Sequence, residues 1–189
     1  MMSITSIILL AFYWIFIILL GWFIFTQTVI RIIRRYIHFP IPGFLARFID
    51  NPIRRRMQPP RKVVEWINMQ NGMQVLEIGP GPGTFTIEAA KQLGKNGKVY
   101  AVDIHPKLIS KLKNRLEKEK IINVAAIVAS GRNLPFPKNI FNRIFMITVL
   151  AEIPDREKAL LEFKCILKDH GILAVGEFLF DPDYPRRKQ

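Results

Sequence analysis

The sequence predicts an α/β protein with a Rossmann-like, doubly wound and mostly parallel sheet, preceded by one N-terminal transmembrane helix. Three observations carry this prediction. The first 30 residues have no charged side chain, apolar runs alternate with helical patterns from Pro60 onward, and a glycine-rich loop follows the first of these runs. We divide the chain into a transmembrane anchor over residues 1–30, a basic juxtamembrane connector over 31–60 and an α/β domain over 61–189.

The anchor is predicted from the apolar stretch between Ile7 and Ile30. Its 24 residues would extend about 36 Å as a helix, slightly more than a bilayer's hydrocarbon core requires. A secretory signal peptide would have a basic start, a shorter apolar region and a small-residue cleavage site, and none of these is present. The sequence therefore predicts a membrane-spanning helix.

Positive charge is concentrated directly after the anchor. The formal net charge is +13, and nine basic residues against one acid lie between Arg31 and Lys62. This bias predicts that the α/β domain lies on the cytosolic side of the membrane, and it would attract the connector to anionic lipid headgroups. The cluster either fixes topology alone or also recognises a lipid headgroup. Nucleic-acid binding is disfavoured because no aromatic residues alternate with the charges.

Prolines and glycines interrupt the connector, so a long helix is not expected there. Phe44, Leu45 and Phe48 follow helical spacing, which favours a short helix lying either on the bilayer or on the domain. The single cysteine, Cys165, lies in an apolar helical pattern and is expected in the core of a protein from a reducing compartment. The three histidines lack metal-ligand spacing, so no metal site is predicted.

From Pro60 onward, five apolar runs alternate with amphipathic helical patterns. Strands that are apolar on both faces and alternate with helices indicate a parallel sheet covered on both sides. In such a sheet, ligands bind beyond the carboxyl ends of the strands. The predicted strands cover residues 73–79, 98–104, 123–129, 143–150 and 171–178.

The loop "GPGPG" after the first strand invites comparison with a dinucleotide-binding loop. Asp103 fills the acidic position that holds a ribose, but Thr84 stands where the third glycine would fall. Pro80 and Pro82 have no N–H group to donate to a phosphate, and Glu77 would repel one. A cationic adenosyl ligand without a phosphate, such as S-adenosylmethionine, fits these residues better.

The run Glu77-Ile78-Gly79-Pro80-Gly81-Pro82-Gly83 resembles the E/D-x-G-x-G-x-G signature of class I S-adenosylmethionine-dependent methyltransferases. Further motifs resemble the same family at residues 101–106, 133–155 and 167–185. The stretch from about Pro59 to Pro185 is similar to methyltransferase type 11 and to the ubiquinone/menaquinone methyltransferases. Four motifs in order are more specific than a glycine loop alone.

The resemblance implies S-adenosylmethionine as the cofactor, and it implies a role for several residues. The methyl group to be transferred would face the backbone around Thr148 and Val149. The other implied cofactor-binding residues are Glu77, Gly79, Gly81 and Gly83 for the methionine part, Asp103 for the ribose, Ile104 and Ser130 for the adenine, and Pro80 and Gly131 without an assigned part of the cofactor.

Two departures from the family pattern bear on activity. Ser130 stands where the family has an aspartate that accepts a hydrogen bond from the adenine, which would weaken binding by about 1 kcal/mol. The family fold also continues beyond the fifth strand through two more strands, which are missing here. We expect either a fragment of a longer protein or pairing of the exposed sheet edge with a partner.

The sequence favours a methyltransferase held at the membrane, acting on a membrane-borne acceptor such as a lipid or a quinone-like ring. No catalytic residue is predicted, because Glu152 and Glu177 fit a capping or salt-bridge role better than that of a general base. A non-catalytic or degenerate S-adenosylmethionine-binding module is the main alternative, and a nicotinamide-dependent oxidoreductase is a third.

Overall fold

The computed structural model describes residues 3–36 and 52–177. The chain divides into two compact units, of which the first contains the N-terminal helix and the second runs from Pro40 to Phe178. Each unit is described by itself. The helix predicted around Phe44, Leu45 and Phe48 lies outside the described residues.

The described part of the first unit is one long helix, α1 (Ile4–Tyr36). Its segment Thr5–Val29 has a mean hydropathy of 2.7 and is long and apolar enough to cross a membrane. The hydroxyls of Thr26 and Thr28 donate to backbone carbonyls one turn earlier, at 2.9 and 2.8 Å, so the helix satisfies its own polar groups. The helix continues through residues 31–36, because nothing in that arginine-rich stretch breaks a helix.

The second unit alternates helices and strands along the chain, as the sequence predicts. Two short helices precede the first strand, and Pro60 occupies the first turn of the second of them, where its missing N–H is tolerated. The elements are α2 (Pro52–Met57), α3 (Pro60–Trp66), β1 (Gln74–Ile78), α4 (Thr84–Leu93), β2 (Lys98–Asp103), α5 (Pro106–Lys118), β3 (Val124–Val128), β4 (Phe141–Ile147), a 3-10 turn (Leu150–Glu152), α6 (Arg156–Ile166) and β5 (Leu167–Gly176).

The five strands form one parallel sheet in the order β3-β2-β1-β4-β5. Strand β1 lies at the centre, where Val75 pairs with Val99 of β2 on one side and with Arg143 of β4 on the other. The chain therefore runs outward in both directions from β1, which creates a crevice at the carboxyl ends of β1 and β4. The predicted doubly wound α/β fold is confirmed.

Strand β5 begins at Leu167 rather than at residue 171, where the sequence predicts it. Leu167 pairs with Phe141, whereas Ile172 pairs with Arg143, so residues 168–171 form an irregularity inside the strand. The polar sequence "KDHG" has the composition of a turn, and a bulge accommodates these residues without ending the strand.

Apolar side chains bury both faces of the sheet. On β4, Ile144 and Met146 pack on the side of α6, and Phe145 packs on the side of α3 and α4. The α6 face includes Phe163, which is fully buried. The side chain of Asp155 accepts from the backbone N–H of Lys158 at 3.1 Å and so caps the first turn of α6. These helices hold the carboxyl ends of the strands in fixed positions.

Candidate functional site

The glycine loop connects the end of β1 to α4 by a tight turn. The Gly79 N–H donates to the carbonyl of Val102 at 2.8 Å, and the Gly83 N–H donates to that of Pro80 at 2.9 Å. Gly79 has a φ of 68°, in the left-handed region that favours glycine. A Cβ atom at Gly79 would also overlap the side chain of Val149. The loop therefore packs directly against the segment that follows β4.

A cavity of about 450 Å³ opens at the carboxyl ends of the strands, beside this loop. Its wall combines segments that are far apart in the sequence. The structure brings eight of the ten predicted cofactor-binding residues to this wall, namely Gly79, Pro80, Gly81, Asp103, Ile104, Ser130, Gly131 and Thr148. Glu77 and Gly83 do not line it, and the roles of all ten residues stay predictions.

Glu77 is buried inside β1, with 2% of its surface exposed. Its Oε2 atom has no hydrogen-bond partner among the described residues, and neither has the buried hydroxyl of Thr86 in α4. Burial raises the pKa of Glu77 to about 8, the nearby Thr86 hydroxyl lowers it, and the charge of Asp103 raises it further. Burial is the largest of these three effects. A buried carboxyl oxygen without a partner is rare and indicates a place for a ligand.

Asp103 ends β2 and lines the cavity, and only 7% of its surface is exposed. Its Oδ1 atom accepts from the backbone N–H of His105 at 2.9 Å and lies 3.1 Å from His105 Nδ1. Both contacts use one carboxylate oxygen and fix the orientation of the group. His105 also lines the cavity. The sequence analysis did not select His105, although its position two residues after the acid was a usable signal.

The loop after β3 forms a second tight turn at the cavity. The Asn133 N–H donates to the carbonyl of Ser130 at 3.0 Å, and the Arg132 N–H donates to the Ser130 hydroxyl at 3.3 Å. Gly131 lies against the core, since a Cβ atom there would come within 3.5 Å of Ile78 Cγ2. The Ser130 hydroxyl is therefore held at the cavity wall and keeps lone-pair capacity for a ligand.

Thr148 follows β4 with a φ of 57°, which is unusual for a β-branched residue. Its N–H donates to the carbonyl of Gly176 and its hydroxyl to that of Ile147, both at 2.7 Å. These bonds hold a backbone conformation that would otherwise cost about 1–3 kcal/mol. Strain of this kind occurs often at active sites.

The cavity wall also includes residues that the sequence analysis did not assign to the site. Arg55 and Gln58 come from α2 and the turn after it, and Arg132 comes from the loop after β3. Glu152 lines the cavity from the 3-10 turn, whereas Glu177, also weighed as a base, is half-buried and does not. In the described part of the chain, no group of three acidic, histidine or cysteine side chains could hold a metal ion.

Comparison with known proteins places the chain in a family. A family profile described as a methyltransferase domain matches residues 69–185. The ubiquinone/menaquinone biosynthesis C-methyltransferase UbiE of Cronobacter sakazakii is 32% identical over 126 residues, which cover 65% of this chain and 50% of that protein. UbiE of Psychromonas ingrahamii is 31% identical over the same length and with the same coverage.

Among solved structures, a SAM-dependent methyltransferase from Aquifex aeolicus is 28% identical, with a TM-score of 0.68 and coverage of 72% of both chains. The chain belongs to the methyltransferase-domain family. The predicted family, class I S-adenosylmethionine-dependent methyltransferases, is thus confirmed together with its cofactor class. The chain spans about half the length of the UbiE proteins, 50% in the Cronobacter case.

Proposed function

We propose that the chain is a methyltransferase that binds S-adenosylmethionine in the cavity beside the glycine loop. The single observation that carries the proposal is the buried Glu77, whose Oε2 atom has no partner among the described residues. It lies two residues before a loop in which Pro80 and Pro82 have no N–H to donate. Such a site suits a positively charged group and offers little to a phosphate.

We expect the parts of this cofactor to bind in the order that the family pattern implies. The carboxylate of Glu77 would hold the ammonium group, and the glycine at 79 would let the backbone approach the methionine part. Asp103 would accept the ribose hydroxyls, because its Oδ1 atom is already oriented by His105. Ile104, which is 47% exposed at the cavity wall, would pack on the adenine, and Ser130 would accept from it.

The bound cofactor supplies a methyl group on a sulfonium, which an acceptor displaces directly. The protein's task is to align the acceptor and exclude water. Thr148 and Val149 form the cavity wall nearest to the glycine loop, where the strained backbone at Thr148 is rigidly held. Glu152 lines the same wall and would be a candidate base only for an acceptor that must lose a proton.

The acceptor that we favour is membrane-borne, either a lipid or a quinone-like ring. The apolar helix α1 supports this, because it is long enough to hold the chain at a membrane. The basic residues after it favour the cytosolic face. The names of the UbiE relatives, which refer to quinone biosynthesis, support the quinone-like alternative. We also expect the edge of β5 away from β4 to pair with a further strand, because β5 is the outer strand of the described sheet.

The main alternative is a module that binds the cofactor without catalysis. It is favoured by Ser130, which stands where the family has an aspartate. The two functions differ in one measurement. Both bind S-adenosylmethionine, but only the enzyme transfers its radiolabelled methyl group to a lipid or quinone fraction.

The test uses the full chain in detergent micelles. We expect calorimetry to detect S-adenosylmethionine binding and no NAD binding. Glu77→Gln should weaken binding about 10- to 100-fold, because a charge-assisted contact is lost. Glu117→Gln, an exposed acid on α5, is the matched control and should change nothing. Since Glu77 has a raised pKa of about 8, binding at neutral pH should release a proton, seen in buffers of different ionisation enthalpy.

Absence of S-adenosylmethionine binding in the unmodified chain would contradict the proposed function. Binding without methyl transfer to any membrane extract would leave the non-catalytic module as the function. NAD binding with comparable affinity would favour an oxidoreductase instead.

A further inference from the structure

Helices α2 and α3 follow each other in the chain and carry a group of exposed basic residues and two large exposed apolar side chains. We call this group of six exposed residues the α2–α3 surface. Trp66 is 78% exposed and Met57 is 53% exposed. The other four members are Arg55, Arg56, Arg61 and Lys62, all exposed.

The geometry of α3 explains how this surface is presented. Val64 is fully buried in the core, where it packs in the same cluster as Phe145. Arg61, Lys62 and Trp66 all lie on the exposed side of the helix. The helix is therefore fixed by its apolar face, while its basic face and the indole ring are directed to solvent.

Basic residues strongly outnumber acidic ones on this surface. Glu65 is the only acid among residues 55–66, and it pairs with Arg61 at 3.1 Å. Both partners are exposed, with 84% and 51% of their side-chain surfaces accessible, so this pair is weak and leaves the surface basic. Arg56 and Lys62, both exposed, add to this positive charge, which would attract an anionic partner.

An anionic lipid bilayer is the partner that fits these features together. Trp prefers the boundary between headgroups and acyl chains, where its ring is apolar and its N–H reaches water. Basic side chains around it favour anionic headgroups. A nucleic acid would require several aromatic rings or a charged groove, whereas the surface offers one indole and one thioether. The same chain also contains an apolar segment able to span a membrane, Thr5–Val29.

We propose that the α2–α3 surface docks on an anionic lipid bilayer, with Trp66 inserted at the headgroup level. The segment that forms the surface also forms part of the cavity, since Arg55 and Gln58 line its wall. Docking therefore turns this side of the cavity toward the lipid. A bilayer-resident acceptor would then enter beside Arg55, a step that rests on the proposed function.

The test is fluorescence quenching in the full chain. Trp14→Phe and Trp22→Phe leave Trp66 as the only tryptophan, since the sequence has three. The chain is reconstituted in vesicles with bromine-labelled acyl chains, made either of phosphatidylcholine alone or with about a third of phosphatidylglycerol. We expect at least twofold stronger quenching of Trp66 in the anionic vesicles, and we expect 0.5 M salt to reverse it.

Two matched controls separate docking from mere tethering by α1. The first moves the reporter, by Trp66→Phe with Leu161→Trp, to a site on α6 that is 68% exposed, and it should be quenched weakly in both vesicles. The second removes charge. Arg56→Gln, Arg61→Gln and Lys62→Gln together should abolish the quenching of Trp66. The same number of changes on α5, at the exposed Lys111, Lys113 and Lys118, should not.

Equal quenching at positions 66 and 161, or equal quenching of Trp66 in both vesicles, would overturn the proposal. Quenching of Trp66 by single-stranded RNA in preference to anionic lipid would also overturn it. The measurement needs no cofactor and no turnover. Calorimetry with S-adenosylmethionine on the same samples therefore shows separately whether the proposed function fails.

Discussion

At the scale of single residues, Gly79 couples the cofactor loop to the segment after β4. Its φ of 68° already disfavours any other residue, and an added Cβ would overlap Val149. Gly79→Ala should therefore abolish measurable S-adenosylmethionine binding and destabilise the domain by more than 1 kcal/mol. Calorimetry and denaturant unfolding measure the two effects.

The control is Gly72→Ala, because Gly72 has a similar φ of 84° but no atom within 4 Å of the added Cβ. It should cost only about 1 kcal/mol of stability from backbone strain and leave binding intact. Equal loss of binding in both variants would show that general destabilisation of the domain, and not the contact with Val149, is decisive.

Glu77 should make the ligand-free chain less stable as the pH rises. Its pKa is about 8 in the folded chain against an ordinary value of 4.5. Between these two pH values the carboxyl group of Glu77 is protonated in the folded state and ionised in the unfolded state. The stability associated with this group is present below pH 4.5 and is lost as the pH rises toward 8. Thermal unfolding of the ligand-free chain across this range measures the effect.

Glu77→Gln removes the titrating group. The difference in melting temperature between this variant and the unmodified chain should widen in favour of the variant as the pH rises from 4.5 to 8. A constant difference over this range would mean that Glu77 titrates normally.

Replacing Ser130 by the aspartate of the family pattern should increase the affinity for S-adenosylmethionine. Ser130→Asp places a carboxylate where the adenine amino group is expected, in a turn already closed by the bond from Asn133 to Ser130. We expect about a fivefold gain in S-adenosylmethionine affinity, equivalent to about 1 kcal/mol. Ser130→Ala, its control, should lose affinity modestly. A loss with both variants would place the adenine elsewhere in the cavity.

At the scale of elements, α6 covers the sheet through a small number of buried side chains. Phe163 is fully buried and packs in the same cluster as Phe141 and Ile144. Phe163→Ala should lower the free energy of unfolding by about 3–5 kcal/mol, because it leaves a cavity in the core. Leu161→Ala, on the exposed side of the same helix, should cost less than about 1 kcal/mol. Denaturant unfolding compares the two, and similar costs would contradict the packing of α6 described above.

The strands were predictable because each is an apolar run flanked by turn residues, as "VLEI" is in β1. The start of β5 was not, because "KDHG" has the local composition of a turn. Only the pairing of Leu167 with Phe141 keeps the strand going across these residues. At these residues the pairing with β4 overrides local propensity, and no pattern within the segment predicts that the strand begins at Leu167.

The residues of the candidate site were also only partly predictable from the sequence. Gly79 and Asp103 could be selected because each stands at the end of an apolar run with a recognisable neighbour. Arg55 and Gln58 could not, because "RRRMQ" reads only as a basic segment. Their place at the cavity wall depends on how α2 packs on the domain, which the local sequence does not encode.

At the scale of the whole molecule, charge and apolar surface are segregated along the chain. The apolar segment Thr5–Val29 carries no charged side chain, while the net charge of +13 belongs to the rest. The cavity combines residues from α2 to the 3-10 turn, about half of the chain's length apart. We therefore predict that substrate access and cofactor binding depend both on the glycine loop and on segments such as α2, which no sequence motif assigns to the site.

The central position of β1 has a consequence for the order in which the protein can fold as it is synthesised. One edge of β1 pairs with β2, which follows it closely in the sequence. The other edge pairs with β4 (Phe141–Ile147), which is synthesised much later. Until the ribosome has made β4, the central strand β1 exposes an unpaired edge. The nascent domain therefore remains open to wrong strand pairing until β4 has been synthesised and can pair with β1.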